Sequence, residues 1–265
     1  HWLGCYGNKQ SQTPRIDALA KEGILFENAY SNAPVCAVAR ATILMGAYSP
    51  TMGTQHMRSR HAIPAKYKPN PEYLRAAGYH CTNPGKTDYN FKGNDNSYWD
   101  KGDYRKRPEG KPFYSILNIT LSHESSLFSK GASDPQRLKP SEIDLPPYLP
   151  DLPEIRKDMA RYHDRITDMD ARVGKILDDL EKAGLADHTI VFYYSDHGGV
   201  LPRGKRYLEN TGVKVPMIVR IPEKFRHLAP FKPGDRVAEP VSFVDLAPTV
   251  LSLAGIDTPP QMQGR

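Results

Sequence analysis

The sequence predicts an α/β fold in which helices cover a mainly parallel central sheet. Three observations lead to this expectation: buried strand patterns alternate with helical patterns, long helical stretches separate successive strands, and polar clusters follow two of the strands. Strands separated by long helical stretches need crossover connections, which are typical of parallel sheets. In such sheets, functional sites lie beyond the carboxyl ends of the strands.

The first third of the chain carries two helical patterns. Pro14 stands near the start of the first, apolar residues follow at helical spacing, and Gly23 comes just past its end. A short strand candidate, 24–26, follows directly. The second helix begins at or just after Cys36 and ends at Gly46. Cys36 therefore lies at a helix N-terminus, where the dipole and the free N–H groups favour an anion.

Two strand candidates end in polar clusters that contain histidine. Residues 113–121 form a mostly buried strand pattern that delivers His123 just beyond its C-terminal end. Residues 189–194 form a shorter strand pattern, and Asp196 and His197 follow it. Because sites collect at the carboxyl ends of parallel strands, these two clusters point to one shared site.

The second half of the chain adds two helices and a strand. Apolar residues recur every three or four positions over 155–180, which predicts one long amphipathic helix. A strand is predicted over 213–221, and Pro216 within it indicates a position at a sheet edge or on a bulge. The last helix begins near Asp245 and ends at Gly255.

Length and composition exclude several protein classes. With 265 residues, 39% apolar and 25% charged, and no long apolar run, the chain is predicted to be soluble and globular, without a membrane span. The three cysteines, Cys5, Cys36 and Cys81, cannot all pair with one another, so at least one is free, joined to another chain or chemically special. The chain starts at His1 and shows no signal peptide, so we interpret it as a processed or truncated segment.

The charge balance indicates little about partners. The net charge of +6 is spread along the chain. It favours a mild attraction to anionic molecules, or simply a lysine-rich solvated surface. Nucleic-acid binding gains no specific support, and we expect no nucleic-acid partner.

Scattered polar residues are the candidates for chemistry, because no phosphate loop, dinucleotide motif, serine-hydrolase elbow or paired-cysteine motif is present. Asp196 and His197, followed by two glycines, can form half of a divalent-metal site, or a turn cap beside a surface histidine. Arg40 follows Cys36 by one helical turn, which places the guanidinium beside the thiol. A lone cysteine is also a common small core residue.

Residues 31–46 resemble the signature of the type I sulfatases, in which the cysteine of a C-x-(P/A)-x-R motif is oxidised to formylglycine. The resemblance implies the alkaline-phosphatase-like three-layer sandwich and a sulfatase catalytic domain over residues 1–265. It is strongest toward bacterial relatives of heparan N-sulfatases and other glycosaminoglycan sulfatases. Further segments resemble family motifs in the family order: Gly4 to Phe26, Gly85 with Lys86, Ser122 with His123, Ser195 to Gly198, and Lys205 before Val215 and Pro216.

The resemblance implies roles for the nucleophile and the metal. Cys36 would be the precursor of the formylglycine nucleophile and a metal ligand, and Arg40 would stabilise the hydrated aldehyde. Asp196 and His197 would ligate Ca²⁺ or another divalent cation, which acts as a Lewis acid on the sulfate oxygens.

Substrate contacts follow from the same resemblance. Lys86 and Lys205 would clamp the sulfate oxygens, where negative charge builds up. His123 would contact the sulfate and donate a proton to the leaving oxygen. Taken singly, these three residues are more typical of surface lysines and a hydrogen-bonded strand-end histidine. His56 and Arg58 would line the substrate pocket, or belong to a structural loop.

The sequence departs from the family pattern at several points. The family carries two adjacent metal-binding aspartates at the end of its first strand, and this chain begins just after that position. The small C-terminal subdomain is also expected beyond Arg265. Val38 stands where the cysteine signature usually carries proline or alanine. Asp88 stands where the family motif that begins at Gly85 and Lys86 carries a histidine. Val38 puts conversion of Cys36 in question, and Asp88 alters one expected contact.

Three functions remain open from the sequence. The first is a sulfatase of a sulfated, glycosaminoglycan-like carbohydrate, exported to the periplasm or secreted and activated by a formylglycine-generating maturation enzyme. The second is a phosphate or phosphonate ester hydrolase of the same superfamily. The third is a non-catalytic protein that binds sulfated glycans and keeps Cys36 as a thiol.

Overall fold

The computed structural model describes residues 2–59, 61–92, 97–128 and 136–265. Helices and strands alternate along this part of the chain. The helices are α1 (Pro14–Glu22), α2 (Cys36–Met45), α3 (Ser49–Met52), α4 (Asn70–Ala76), α5 (Glu124–Phe128), α6 (Pro153–Lys182), α7 (Asn210–Val213) and α8 (Leu246–Leu253). The strands are β1 (Ile24–Tyr30), β2 (His80–Thr82), β3 (Phe113–Ser115), β4 (Val191–Tyr194), β5 (Lys214–Arg220), β6 (Arg236–Val237) and β7 (Val241–Ser242).

The main sheet is mixed, so the expectation of a mainly parallel sheet is wrong for the described strands. Its order is β4-β5-β1-β6, and β7 pairs with β1 as well. Strand β5 runs antiparallel to both β4 and β1, whereas β6 and β7 run parallel to β1. The connection 195–213 contains only the four-residue helix α7. Without a crossover helix, β5 returns beside β4 in the opposite direction.

Strands β4 and β1 point the same way, because each is antiparallel to β5. Their carboxyl ends therefore meet at one edge of the sheet. The segment after β1 leads into Cys36, and the segment after β4 leads into Asp196 and His197. The expectation that strand ends gather the polar residues holds, although the sheet is mixed.

Two strand predictions are corrected in detail. Of the predicted strand 113–121, only β3 is paired, with β2 in a separate two-stranded parallel sheet. Strand β5 lies inside the main sheet, not at its edge. Pro216 stands opposite a register shift between Phe26 and Ala29 of β1, so the bulge alternative is confirmed. The pairing of β5 with β4 ends at Met217, so Pro216 lies just outside it. The missing N–H group of Pro216 therefore costs no hydrogen bond between these two strands.

Helices cover both faces of the main sheet and give the predicted three layers. Leu25 and Ile218 of the sheet pack with apolar side chains of α1 and α6 on one face. Their neighbours Ile24 and Met217 pack on the other face with Ile43 of α2 and the start of α8. This alternation follows from the two-residue period of strands. None of the helices in the described ranges combines the length and apolar character that crossing a bilayer requires.

The predicted helices are confirmed, with small shifts at their ends. Helix α6 extends over 30 residues and buries the periodic apolar face that the sequence shows. Helix α2 begins at Cys36 and is closed by Gly46, whose φ of 61° is the left-handed conformation that glycine adopts at helix ends. Helix α2 therefore presents Cys36 in its first turn, at the carboxyl end of β1.

Candidate active site

Three segments meet around Cys36 at the carboxyl end of β1. Helix α2 begins with Cys36 shortly after β1 ends, and the side chain of Cys36 is almost fully buried. The hydroxyl of Ser31 donates to the carbonyl oxygen of Asp196 at 2.8 Å, which ties this segment to the loop after β4. The backbone N–H of Arg206 donates to the carbonyl oxygen of Pro34 at 2.8 Å. The loop before α7 is therefore held against the same segment.

The loop after β4 passes close to α7 only because it contains glycine. The backbone N–H of Gly198 donates to the carbonyl oxygen of Gly212 at 2.8 Å. A Cβ atom at Gly198 would collide with the carbonyl group of Thr211. This close approach accounts for the glycine after the Asp196–His197 pair, and it fixes both side chains at the end of β4.

Arg40 is the residue of α2 that reaches into the site. Every other residue of α2 is buried, whereas Arg40 is partly exposed. Its Nη2 donates to the carbonyl oxygen of Lys86 and, at 2.6 Å, to Oδ1 of Asn118. Its Nη1 lies 3.7 Å from Oδ2 of Asp196, and the guanidinium stands 5.8 Å from the ring centre of Tyr89. One guanidinium thus joins α2 to the ends of three other segments.

Asp88 lies between Cys36 and two cations. Its carboxylate is 2.5 Å from the Arg58 guanidinium and 3.4 Å from the Lys86 ammonium. Burial by itself would raise the pKa of Asp88, but the Cys36 thiol and the two cations outweigh burial and lower it. Asp88 is therefore ionised at neutral pH. A negative charge stands beside Cys36 where the family motif carries a histidine.

His56 and Arg58 are held by one buried asparagine. The Asn90 side chain accepts from the backbone N–H of Arg58 at 2.6 Å and donates to the carbonyl oxygens of His56 and Thr54 at 2.6 and 2.7 Å. This clamp holds Arg58 at a φ of 66°. Arg58 reaches the site through Asp88, whereas the His56 side chain is exposed. Their substrate-binding role stays a prediction.

The Lys205 ammonium is buried and paired with Glu124. Its side chain is 5% exposed, and Nζ donates to Oε1 of Glu124 at 2.8 Å. The two Nη atoms of Arg206 lie 3.2 Å from the two oxygens of Glu124. Burial by itself would raise the pKa of Glu124, but the hydrogen bonds and charges of Lys205 and Arg206 lower it to about 2. One carboxylate thus fixes the positions of two cations.

Between about pH 4.5 and 2, we expect the Glu124→Gln variant to lose less stability on acidification than the unchanged protein. The folded state lowers the Glu124 pKa from its usual 4.5 to about 2, so the unfolded state binds the proton more readily. This contribution to stability is complete above pH 4.5 and disappears as the pH falls through 2. Urea unfolding midpoints between pH 6 and 2 measure it. Parallel pH profiles for Glu124→Gln and the unchanged protein would contradict the assignment, and Glu142→Gln, at an exposed pair with Lys139, is the control.

His123 presents one nitrogen to the site. Its Nδ1 accepts from the backbone N–H of Ser125 at 3.2 Å and lies 2.9 Å from the Ser125 hydroxyl oxygen. The proton of the neutral ring therefore resides on Nε2. Burial first, and then the charges of Lys205 and Lys86, lower the pKa of His123. The lowered pKa leaves the ring mostly neutral at neutral pH, with the Nε2–H group free to donate a hydrogen bond into the site.

Asp196 and His197 offer two adjacent metal-binding groups. The Nδ1 of His197 lies 2.7 Å from the carbonyl oxygen of Gly198, so Nδ1 carries the proton and Nε2 presents its lone pair, 3.8 Å from Oδ1 of Asp196. Burial lowers the pKa of His197, which favours the neutral ring that ligates metals. The described residues contain no group of three or more His, Cys, Asp or Glu that could hold a metal ion. Calcium takes about six to eight oxygen ligands, so these residues alone do not form a calcium site.

A cleft of about 920 Å³ extends from these side chains along β4. Residues 190–196 line one part of it and residues 110–120 another, with apolar side chains of α6 such as Val173 and Leu177 between them. Within the described ranges, β4 has a strand partner on one side only. The cleft therefore combines an unpaired strand edge with the charged groups of the site.

The structure brings seven of the nine predicted site residues together. Arg40, Lys86, His123, Asp196 and His197 all line the cleft, and Cys36 opens the helix beside them. Lys205 is paired with Glu124, the residue that follows His123. Arg58 joins only through Asp88, and no contact in the described part of the chain brings the His56 side chain to the others.

Sequence reasoning missed two further participants, Asn118 and Glu124. The Oδ1 atom of Asn118 accepts a hydrogen bond from Arg40, and its Nδ2 atom donates one to Oδ1 of Asn83 at 2.7 Å. Glu124 directly follows His123 in the chain, and this adjacency was the only local signal for it. Neither residue belongs to a motif that marks such a role.

A family model described as Sulfatase matches residues 2–104 and 81–256 of the chain. An ulvan-active sulfatase of Formosa agariphila is 36% identical over 312 residues, which cover 98% of the chain and 51% of the relative. The human N-sulphoglucosamine sulphohydrolase is 26% identical over 303 residues, which cover 97% of the chain and 59% of the relative. The chain thus spans between half and three fifths of the length of these curated relatives.

Solved structures show the same fold. A 2-O GAG sulfatase superimposes with a TM-score of 0.75 at 20% identity and covers 100% of the chain and 70% of its own. A phosphonate monoester hydrolase from Silicibacter pomeroyi superimposes with a TM-score of 0.74 at 18% identity, covering 99% and 72%. At these identities the likeness concerns the fold, and it confirms the predicted alkaline-phosphatase-like architecture.

Proposed function

Because the chain belongs to the sulfatase family, we propose that residues 1–265 carry the catalytic site of an enzyme that removes sulfate from a sulfated, glycosaminoglycan-like carbohydrate. One observation carries this proposal. The buried Cys36 stands at a helix N-terminus, with Arg40, Lys86 and Lys205 grouped around the same end of the sheet. The relatives named as sulfatases of ulvan and of N-sulphoglucosamine support a sulfated carbohydrate as the substrate class.

Cys36 is the position of the nucleophile in this proposal. Oxidation of Cys36 to formylglycine by a maturation enzyme, followed by addition of water to the aldehyde, places a hydroxyl nucleophile at the start of α2. Arg40 holds its guanidinium on this side of α2 through the carbonyl oxygen of Lys86 and Asn118. The ionised Asp88 faces the same position and can accept a hydrogen bond from a hydroxyl there.

The cations suit a sulfate that gains negative charge on its oxygens. Lys86 and Lys205 are fixed by carboxylates before substrate arrives, so little reorganisation accompanies binding. His123 presents Nε2–H to the leaving oxygen and, when the ring is protonated, can transfer that proton to it. In this division of roles, the lysines bind the charge that stays on sulfate and the histidine neutralises the charge that leaves on the sugar.

We include a divalent cation, calcium by family membership, in the same proposal. Asp196, His197 and Cys36 would supply some of its ligands. The remaining ligands would come from outside the described residues, because two side chains and one modified residue are too few. The open edge of β4, which leads directly to Asp196, offers a place for a further extended segment. Export to the periplasm or beyond the cell belongs to the proposal on family membership alone.

Mass spectrometry of the Cys36 peptide tests the proposal. The full-length protein is made alongside a formylglycine-generating enzyme, and the peptide is examined after reduction and alkylation. We expect an aldehyde at position 36 and turnover of sulfate esters. Preferred turnover of phosphate or phosphonate esters would select the second function. An alkylated thiol with binding of sulfated sugars would select the non-catalytic one, because Val38 would then have blocked conversion.

A further inference from the structure

The loop 203–208 lies at the rim of the site, with Gly204 and Lys205 buried and its other four residues exposed. Within the described ranges, Arg58, Arg203 and Arg206 are the non-glycine residues with positive φ, and two of them lie in this loop, at 64° and 79°. Such conformations persist where surrounding contacts enforce them, and they concentrate at functional sites. Here the N–H groups of Lys205 and Arg206 donate to the carbonyl oxygens of Gly199, at 2.6 Å, and of Pro34.

The charges of this loop do not cancel. Lys205 and Arg206 share the single carboxylate of Glu124, which leaves one positive charge in excess in this group. The Lys205 side chain is buried, whereas that of Arg206 is 63% exposed. The excess charge therefore faces outward through the Arg206 guanidinium. The two Nη atoms of Arg206 each use one N–H group on Glu124, and the remaining N–H groups of the guanidinium can bind a carboxylate or a sulfate.

Two large apolar side chains follow Arg206 directly. Tyr207 is 54% exposed and Leu208 is 83% exposed, the highest value among the large apolar residues of the described chain. Single exposed apolar side chains are common, but these two adjoin the exposed Arg206 guanidinium at the rim of the site, where they can pack against a bound ligand. A tyrosine presents an apolar ring face with a polar tip, which fits the mixed surface of a sugar ring.

We infer that residues 203–208 bind the part of the carbohydrate next to the sulfated sugar, with Arg206 contacting an anionic group and Tyr207 packing against a sugar ring. The inference rests on the proposed function and extends it to a substrate that carries at least two anionic groups. The Lys205 ammonium and the Arg206 guanidinium both contact Oε1 of Glu124, at 2.8 and 3.2 Å, so the two cationic groups lie close together. One short chain of sugars can therefore reach both groups.

Calorimetric binding to the full-length protein with Cys36→Ala tests the inference without turnover. The ligands are a sulfated monosaccharide, the same sugar linked to a uronate, and the same sugar linked to a second sulfated sugar. We expect the disaccharides to bind more tightly than the monosaccharide, and Arg206→Ala to reduce this ratio roughly tenfold. The effect of Arg206→Ala on the uronate disaccharide, compared with its effect on the doubly sulfated disaccharide, shows which anion Arg206 binds. Tyr207→Ala should weaken both disaccharides.

Arg236→Ala is the matched control. Arg236 is also exposed and paired with a carboxylate, that of Glu27, but it lies beside the start of β1, at the end of the strand away from Cys36. Its replacement should leave the ratio unchanged. An equal loss for all three ligands in Arg206→Ala, or no loss, would overturn the inference while the proposed function stands. Failure of the unchanged protein to bind or hydrolyse any sulfated sugar would refute the proposed function, and the inference with it.

Discussion

We expect replacement of Cys36 by alanine to remove the proposed turnover of sulfate esters by the full-length protein, with a loss on the order of 10⁴-fold or more. The reason is that alanine offers neither a thiol to be oxidised nor an oxygen to attack sulfur. Binding of sulfated sugars should survive, because Lys86, His123 and Lys205 are held by partners other than Cys36. Steady-state kinetics on an aryl sulfate, together with a binding measurement, separate the two effects.

Cys81→Ala is the control for this experiment. Cys81 is as buried as Cys36, but its thiol donates to the carbonyl oxygen of Pro71 in the core around α4. Burial, reinforced by Asp100, raises the pKa of Cys81 to about 12, which makes this thiol unreactive. Cys81→Ala should keep its turnover in the folded protein. Comparable activity in Cys36→Ala and Cys81→Ala would exclude Cys36 as the nucleophile position.

Local patterns in the sequence predicted the local structure around Cys36. Helix α2, its start at Cys36 and the position of Arg40 one turn later follow from apolar spacing and from Gly46, all within eleven residues. The polar residues that follow β4 were also predicted, because a strand end and its next residues are adjacent in the chain. These features need no knowledge of the remainder of the fold.

Strand pairing could not be predicted in the same way. Whether β5 runs parallel or antiparallel depends on the path of residues 195–213, because the direction of a strand is set by where its connection leads and not by the residues of the strand itself. Likewise, 116–121 carry a strand pattern, but a strand forms only where a partner lies alongside, and the described chain provides one only for Phe113–Ser115.

Long-range partners account for the site residues that the sequence did not reveal. Glu124 pairs with Lys205 across 81 positions, and Asn118 accepts from Arg40 across 78. Such pairs depend on the three-dimensional arrangement of segments, which no spacing rule encodes. The sequence identified the groups that contact sulfate in the proposed reaction, and the structure added the groups that hold them in place.

Arg40→Lys should lower kcat/KM for sulfate esters by about 10²- to 10³-fold and destabilise the protein by about 1.5–3 kcal/mol. The guanidinium of Arg40 contacts the carbonyl oxygen of Lys86, Asn118 and Asp196 from two separate nitrogens. A lysine side chain is shorter and carries a single ammonium nitrogen, so it cannot contact all three partners. The loss in turnover then follows from the displaced Lys86 backbone as well as from the charge next to position 36.

Arg156→Lys separates the catalytic loss from the loss of stability. Arg156 also bridges several acceptors, the two carboxylate oxygens of Asp151 and the carbonyl oxygen of Ile143, but it lies on α6 outside the cleft. Arg156→Lys also replaces a guanidinium that contacts several acceptors at once, so the urea midpoint of this variant should fall while kcat/KM changes little. If Arg40→Lys also loses only stability, Arg40 acts as a structural brace for α2. A loss of turnover in Arg40→Lys beyond that of Arg156→Lys assigns the guanidinium to the reaction site.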